Sequence, residues 1–251
     1  MDKVGKYEFM AEPFHCDFSQ RLFMGHLGNH MLNAADFHST ARGFGMKYLL
    51  TIQRSWVLSR LAIEMDEMPQ MYTKFNVETW VESAMRYFTS RNFRVVDNDG
   101  KVYGYGRSIW AMIDTGSRQP TDIFAIDNGA INNWIVADKE CPIDKGGRVK
   151  MSDNAAFVRT IDTQYNDVDI NGHINSVKYI EHVLDLWDLD WYREHQLRRF
   201  EIAYVAEAHQ GDQLSFYREA TGEGEYCIRI VKTSPEITEP VEVCRSKVVF
   251  R

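Results

Sequence analysis

Residues 167–178 read DVDINGHINSVK and carry polar side chains at alternate positions: Asp167, Asp169, Asn171, His173 and Asn175. Alternation places side chains on one side of an extended segment, so these groups are predicted to converge. Histidine exchanges protons near neutral pH, a carboxylate can activate water, and an amide can orient a carbonyl. This combination favours hydrolysis of an activated acyl group.

A helix is predicted over residues 171–187, because apolar residues recur there at three- and four-residue steps. The start of a helix presents unpaired N–H groups and a partial positive charge. We therefore expect the N–H groups of Gly172 and the next residue to stabilise a developing oxyanion, and Asn175 to orient the carbonyl or water. A simpler role is that Asp169 or Asn171 caps the helix.

Two metal-binding interpretations are disfavoured. The start of DVDINGHINSVK matches the calcium-loop pattern D-x-[DN]-x-[DN]-G, but Lys178 occupies the place of the bidentate Glu, and residues 157–167 lack a helical pattern. His26 and His30 form an H-x-x-x-H pair, but neither adjoins a Glu in the H-E-x-x-H manner. We expect no metal and, without a P-loop or G-x-G-x-x-G, no cofactor. No G-x-S-x-G nucleophile motif is present either.

The composition argues against several classes of protein. The chain has 251 residues and a net charge of -7, which argues against general nucleic-acid binding. It contains no apolar run of about 18 residues and no signal-peptide pattern, so neither a membrane span nor secretion is expected. The four cysteines form no C-x-x-C pair, which indicates free thiols in a reducing, cytoplasmic setting.

The chain is predicted to repeat one α+β plan. Helix-like segments over 26–45 and 171–187 are each followed by segments with strand character. These strand segments are 55–65, 74–96 and 101–113 in the first half, and 198–205, 213–221, 225–233 and 241–250 in the second. Residues 115–154 are interpreted as a connection. A pairing of His30 with His173, at similar places in the two halves, indicates a duplicated unit whose helix packs on a curved antiparallel sheet.

At DVDINGHINSVKYIEHVLD the sequence resembles the fatty acyl-ACP thioesterases, which carry the pattern D-x-D-x-N-x-H-x-N-x-x-K-Y-I. Other stretches agree in order along most of the chain: LGNHMLNAADFH, GFG, SWVLSRLAIEMDEMP, ETWVESAMRYFTSRNF and GRSIWAMID. The resemblance implies an α+β tandem double hotdog fold. We expect residues 1–150 to form a unit with the acyl pocket, and 151–251 the catalytic unit. It also implies hydrolysis of the thioester between a fatty acyl chain and acyl carrier protein, which ends fatty-acid synthesis.

The resemblance implies four catalytic residues: Asp169, Asn171, His173 and Glu207. Plant members often carry a Cys directly after this Glu, whereas the present chain has Ala208, which favours attack by water over attack by a thiol. Asn171 and His173 are expected to position and polarise the thioester. Glu207 and Asp169 would then orient the water or tune the histidine.

The first half is expected to lack this site, because the pairing above places Gly28 opposite Asn171 and His26 opposite Asp169. Its helix and sheet would then be free to form the acyl pocket. Candidate lining residues are Met31, Leu32, Trp56, Phe75, Trp80 and Trp110.

Acyl carrier protein is the partner that the resemblance implies. It is acidic, so docking would need a local basic patch, for which the candidates are Lys178, Arg193, Arg198 and Arg199. An acyl-CoA thioesterase, a non-catalytic acyl-binding module and a dehydratase on the same fold remain alternatives. Edge strands of the two units could pair within the chain, or between chains to give a homodimer.

Overall fold

The same order of secondary-structure elements occurs twice along the chain. The computed structural model describes residues 2–153, 155–235 and 237–251. It divides into two compact units, Met1–Lys145 and Gly146–Arg251. In each unit an entering strand leads through a short 3₁₀ turn to a long helix, a second helix and four further strands.

The first unit contains β1 (Gly5–Met10), α1 (Met24–Thr40), α2 (Met46–Thr51), β2 (Arg54–Met65), β3 (Lys74–Ala84), β4 (Phe88–Asp97) and β5 (Val102–Asp114). The second unit contains β6 (Ala156–Asp162), α3 (Ser176–Leu184), α4 (Leu189–Glu194), β7 (Leu197–Tyr204), β8 (Gln213–Gly222), β9 (Glu225–Thr233) and β10 (Val241–Phe250). The 3₁₀ turns that follow the entering strands are Pro13–His15 and Tyr165–Asp167.

The sheets of the two units share one topology. The strand order is β1-β3-β4-β5-β2 in the first unit and β6-β8-β9-β10-β7 in the second. Neighbouring strands within each unit pair antiparallel. Strands with the same rank in the sequence therefore occupy the same place in each sheet, which is the pattern of a duplicated unit.

Helix α1 lies close to the sheet of the first unit. Leu27, Met31 and Ala34 lie three or four residues apart and are fully buried, as an apolar helix face requires. A Cβ atom at Gly106 in β5 would lie 3.0 Å from the sulfur of Met31. Glycine at this position therefore lets the helix approach the strand closely.

Helix α3 repeats this packing in the second unit. Val177, Ile180 and Val183 are buried along one face, which matches the spacing of apolar residues in the sequence. The hydroxyl of Tyr204, at the end of β7, donates a hydrogen bond to the carbonyl oxygen of Ser176 at 2.8 Å. This bond ties the first residue of α3 to the sheet beneath it.

Two predicted elements have different boundaries in the structure. The helix expected over 171–187 begins only at Ser176 and ends at Leu184, because the residues before it form a closed turn. The strand expected over 74–96 is two strands, β3 and β4, with a reversal in which the Met85 N–H donates to the Phe88 carbonyl at 2.7 Å. Apolar and β-branched residues continue through this reversal, so the sequence pattern conceals it.

The expected connection over 115–154 belongs largely to the first unit. Its residues Ile123–Trp134 form 3₁₀ turns, and their isoleucines join a buried cluster with Phe44, Leu49 and Met112. The contact boundary between the units lies at 145/146. Asn154, the last residue of the expected connection, lies outside the described residues. Within the described ranges, no helix has the length and apolar character needed to cross a bilayer.

Candidate active site

The loop between β6 and α3 is closed by the side chain of Asp169. Its Oδ1 accepts hydrogen bonds from the N–H groups of Asn171 at 2.8 Å and His173 at 3.2 Å. The N–H of Gly172 donates to the Asp169 carbonyl at 3.0 Å. Gly172 adopts a positive φ of 82°, a conformation that glycine reaches without steric cost. The result is an Asx-type turn that exposes Asn171 and Gly172.

This turn changes two expectations about hydrogen bonding. The N–H groups of Gly172 and His173 already bond to Asp169, which argues against the oxyanion role expected for Gly172. The helix cap is also neither Asp169 nor Asn171. Asn175 caps α3, because its Oδ1 accepts from the N–H of Val177 at 3.0 Å.

Glu207 lies beside His173 although the two are far apart in sequence. The nearest carboxylate oxygen, Oε2, is 3.4 Å from Nε2 of His173. The loop is held to this region by a bond from the N–H of Ile174 to the carbonyl of Ala208, at 2.8 Å. The His173 and Glu207 side chains are 23% and 39% exposed, respectively, so a carboxylate–imidazole pair is open to solvent.

Two side chains near this pair were missed by sequence reasoning. The ring of His209 meets that of His173 edge to face, with 5.0 Å between centroids. The hydroxyl of Tyr179 is buried and has no hydrogen-bond partner in the described part of the chain. Burial, together with acidic groups that include Cys244 and Glu207, raises the pKa of Tyr179 well above its usual range. Tyr179 therefore remains a protonated donor. Its place in the K-Y-I motif was the feature of the sequence that could have marked it as a site residue.

Asp167, which had no assigned role, braces the base of the loop. It is 5% exposed. Its Oδ1 bonds to Nε2 of His182 on α3 at 2.9 Å, and its Oδ2 accepts from the N–H of Gln164 at 2.7 Å. Its carbonyl accepts from the N–H of Asn175 at 2.7 Å. Asp167 thus joins the 3₁₀ turn, the loop and the helix.

Replacing Asp167 with Ala should lower the free energy of unfolding by about 1–3 kcal/mol, because a buried hydrogen-bonding partner of His182 is lost. Urea denaturation monitored by circular dichroism would measure this change. The exposed Asp185→Ala variant is the control and should shift stability by less than about 0.5 kcal/mol. Equal stability of the two variants would contradict the bracing role.

The thiols of the chain are poorly suited to nucleophilic attack. Cys16, Cys141, Cys227 and Cys244 are all free, and burial raises the pKa of each thiol. A thiol with a raised pKa contains little of the reactive thiolate near neutral pH. The residue after Glu207 is the buried Ala208. The solvent-open carboxylate–imidazole pair therefore favours an attack by water.

The first unit contains the same loop at a different register from the one expected. Oδ1 of Asp17 accepts from the N–H groups of Ser19 at 2.8 Å and Arg21 at 3.1 Å, as Asp169 does in the second unit. The hydrogen bonds therefore align Asp17, rather than His26, with Asp169. Pairing His30 with His173 was wrong, since this alignment makes His30 the counterpart of His182.

The corrected register shows what the first unit lacks. Asn171 and His173 correspond to Ser19 and Arg21. The bond from the N–H of Leu22 to the carbonyl of Pro69, at 3.0 Å, corresponds to that between Ile174 and Ala208. This match places Met68 opposite Glu207. The loop fold is thus preserved in the first unit, while the amide, imidazole and carboxylate groups are absent.

Most of the residues expected to form a basic patch pair with acidic side chains, and half of the candidate pocket residues are fully buried. Arg199 is buried and pairs with Glu201 at 2.7 Å, and Lys178 pairs with Glu181 at 2.6 Å. Arg193 pairs with Asp190. These pairs reduce the net positive charge expected beside the site. Among the candidate pocket residues, Met31, Phe75 and Trp80 have no exposed surface.

Comparison with known proteins agrees with this geometry. Residues 3–125 match the acyl-ACP thioesterase N-terminal domain and residues 150–243 match the acyl-ACP thioesterase C-terminal domain. A crystal structure of an acyl-ACP thioesterase from Bacteroides thetaiotaomicron VPI-5482 is 50% identical, with a TM-score of 0.91, and the alignment covers 99% of this chain and 98% of that one.

Plant proteins are more distant relatives. The 12:0-ACP thioesterase from Umbellularia californica shares the fold, with 19% identity, a TM-score of 0.86, and 100% and 98% of the two chains covered. A chloroplastic palmitoyl-acyl carrier protein thioesterase from Arabidopsis thaliana is 26% identical over 171 residues, 66% of this chain. The chain spans 42% of that relative's length. These matches, the duplicated topology and the loop that bears Asn171 and His173 show that this chain has the double hotdog fold and belongs to the acyl-ACP thioesterase family.

Proposed function

We propose that this protein hydrolyses the thioester between a fatty acyl chain and acyl carrier protein, releasing a free fatty acid and the carrier thiol. The observation that carries the proposal is the pair of Glu207 and His173, 3.4 Å apart. His173 shares the turn held by Asp169 with the exposed Asn171, two residues before it. Membership of the acyl-ACP thioesterase family supports the substrate class.

In the proposed reaction, Glu207 takes a proton from water, directly or through His173. The water oxygen forms a bond to the thioester carbon, and the carbonyl π electrons move onto oxygen. The side-chain amide of Asn171 donates to that oxyanion. When the intermediate collapses, the C–S bond breaks and the thiolate takes up the proton, by way of protonated His173.

Asp169 has a positioning role in this scheme. Both of its oxygens lie within reach of Asn171, since Oδ1 accepts from the backbone N–H at 2.8 Å and Oδ2 from the side-chain amide at 3.4 Å. The carboxylate is thus engaged within its own loop. Activation of water falls to Glu207, which lies beside His173 and is open to solvent. Asn175 is expected to act only through the start of α3, which it caps.

Release of free thiol from one acyl chain, presented on acyl carrier protein and on coenzyme A, tests the activity and the substrate class. We expect thiol release from both, with kcat/KM at least about tenfold higher for the carrier protein, a difference of about 1.4 kcal/mol in transition-state binding. A higher value for the coenzyme A substrate would favour the alternative acyl-CoA thioesterase. Thiol release at background level would refute hydrolysis and favour an acyl-binding module or a dehydratase.

The location, partners and oligomeric state of the protein also stay predictions. A cytoplasmic location and the absence of nucleic-acid partners stay predictions that rest on cysteine spacing and net charge. A homodimer is likewise a prediction, and analytical ultracentrifugation over a range of concentrations would test it. The assignment of the acyl pocket to the first unit also stays a prediction, which profiling of released fatty acids for pocket variants would address.

A further inference from the structure

Three potential metal ligands meet in the first unit, between the 3₁₀ turn Pro13–His15 and helix α1. The ligand atoms of Glu12, His15 and His30 all lie within 4.8 Å of one another. Oε2 of Glu12 is 3.2 Å from Nδ1 of His15 and 4.0 Å from Nε2 of His30. One carboxylate oxygen therefore lies between two imidazole nitrogens.

The Nε2 atom of His30 lacks a hydrogen-bond partner in the described part of the chain. The residue is 8% exposed, and this nitrogen is buried. A buried polar atom without a partner is costly, so native structures rarely leave one. Phe9 and Phe75 pack against the ring, with centroids 4.5 and 5.8 Å away, and this packing fixes the direction in which Nε2 points.

Ring packing also orients the second imidazole of the cluster. The ring of His15 stacks on that of His26, with 4.0 Å between centroids, which orients the His15 ring beside the carboxylate.

The second unit shows what occupies the same place when no ion is needed. With Asp17 aligned on Asp169, His15 corresponds to Asp167 and His30 to His182. Asp167 and His182 bond directly at 2.9 Å, so carboxylate and imidazole satisfy each other. In the first unit an imidazole replaces that carboxylate. Glu12 then reaches His15 at bonding distance but leaves His30 at 4.0 Å.

We propose that Glu12, His15 and His30 bind a divalent transition-metal ion of the Zn²⁺ class, which ties the 3₁₀ turn to helix α1. Bonds of about 2.0–2.2 Å in a tetrahedral site separate ligand atoms by about 3.4 Å. The two separations from the Glu12 oxygen, 3.2 and 4.0 Å, lie within about 0.6 Å of this value, and the two imidazoles, within 4.8 Å of each other, would approach by up to about 1.4 Å. Two imidazoles and a carboxylate favour Zn²⁺ over Mg²⁺ or Ca²⁺, which prefer all-oxygen sites.

This proposal replaces the expectation of no metal. That expectation rested on His26 and His30 as an H-x-x-x-H pair on one helix, without an adjacent Glu. The structure instead turns His30 toward His15 and Glu12, which precede the helix. The ion has a structural role, since these residues lie in the unit that lacks the Asn171, His173 and Glu207 groups.

Zinc titration of the untagged, chelator-treated full chain tests the proposal. Calorimetry should show one Zn²⁺ per chain with a Kd below about 10 μM. Co²⁺ should give the visible absorption of a four-coordinate site, in which a water molecule completes the three protein ligands. At 100 Kd of free Zn²⁺ the unfolding midpoint should rise by about 5–10 °C. Thiol release should persist in the metal-free chain, so the outcome is independent of the proposed hydrolysis.

Glu12→Gln and His30→Gln should each weaken Zn²⁺ binding at least about tenfold. The Glu12 side chain is 45% exposed, so its variant is expected to fold even if His30→Gln does not. His195→Gln, which removes an imidazole stacked on Trp191 in the other unit, is the matched control and should bind as the unaltered chain does. No binding below about 100 μM, unchanged binding in Glu12→Gln, or binding lost only in His173→Ala would overturn the proposal.

Discussion

Replacing Glu207 with Gln should lower kcat for acyl-ACP hydrolysis by about 10²–10⁴-fold, because the group that accepts the proton from water is removed. Gln has nearly the same shape, so the contact with His173 at 3.4 Å can persist while the negative charge is lost. His173→Ala should have a loss of similar size. Thiol release under saturating acyl-ACP would measure kcat, and the unfolding midpoint would show that both variants remain folded.

The double variant Glu207→Gln/His173→Ala tests whether the two groups act together. If Glu207 and His173 transfer one proton between them, the double variant should be no slower than the worse single variant by more than a few-fold. Multiplicative losses would indicate that the two groups act independently and would contradict the proposed relay. Glu239→Gln, which neutralises an exposed carboxylate in the same unit, is the control and should leave kcat unchanged.

Asp169→Ala is expected to lower kcat by about 10²-fold or more, although Asp169 is a positioning residue in our proposal. Its carboxylate accepts from the N–H groups of Asn171 and His173. Loss of these bonds opens the turn and moves the reacting side chains. A displacement of about 1 Å at a reacting group can cost about 10²-fold in rate. Steady-state kinetics should place the loss in kcat rather than in KM.

The duplicated loop offers a matched control for this prediction. Asp17 makes the corresponding bonds to the N–H groups of Ser19 and Arg21. Asp17→Ala and Asp169→Ala should therefore lower the free energy of unfolding by similar amounts, about 1–2 kcal/mol each. Only Asp169→Ala should lower kcat. Equal effects of the two variants on kcat would mean that the loss follows from general destabilisation and would refute the positioning role.

A comparison of the two loops distinguishes the residues needed to fold the loop from those needed for the proposed reaction. Both loops keep an Asp as the acceptor and a residue of positive φ, Gln20 at 61° and Gly172 at 82°. These features follow from backbone geometry and recur in both units. The positions that correspond to Asn171, His173 and Glu207 hold other residues in the first unit, so one hydrolytic site per chain is expected.

Several features of this protein were determined by the sequence alone. The strands β7, β8, β9 and β10 lie within one residue of their predicted ranges, because alternating apolar residues and glycine turns encode them locally. The turn that contains Asp169, Asn171 and His173 is also encoded locally. The hydrogen bonds that close their turn join residues no more than four apart, so spacing alone specifies them.

Other features were decided only by the tertiary structure. The bond between Asp167 and His182 and the contact of Glu207 with His173 depend on how the loop, α3 and the segment after β7 pack together. Aligning the two halves on His30 and His173 missed the register in which Asp17 corresponds to Asp169. The two units preserve the backbone hydrogen bonds of the loop rather than the identities of its side chains. Residues distant along the chain meet through packing, and no local periodicity records which side chains that packing brings into contact.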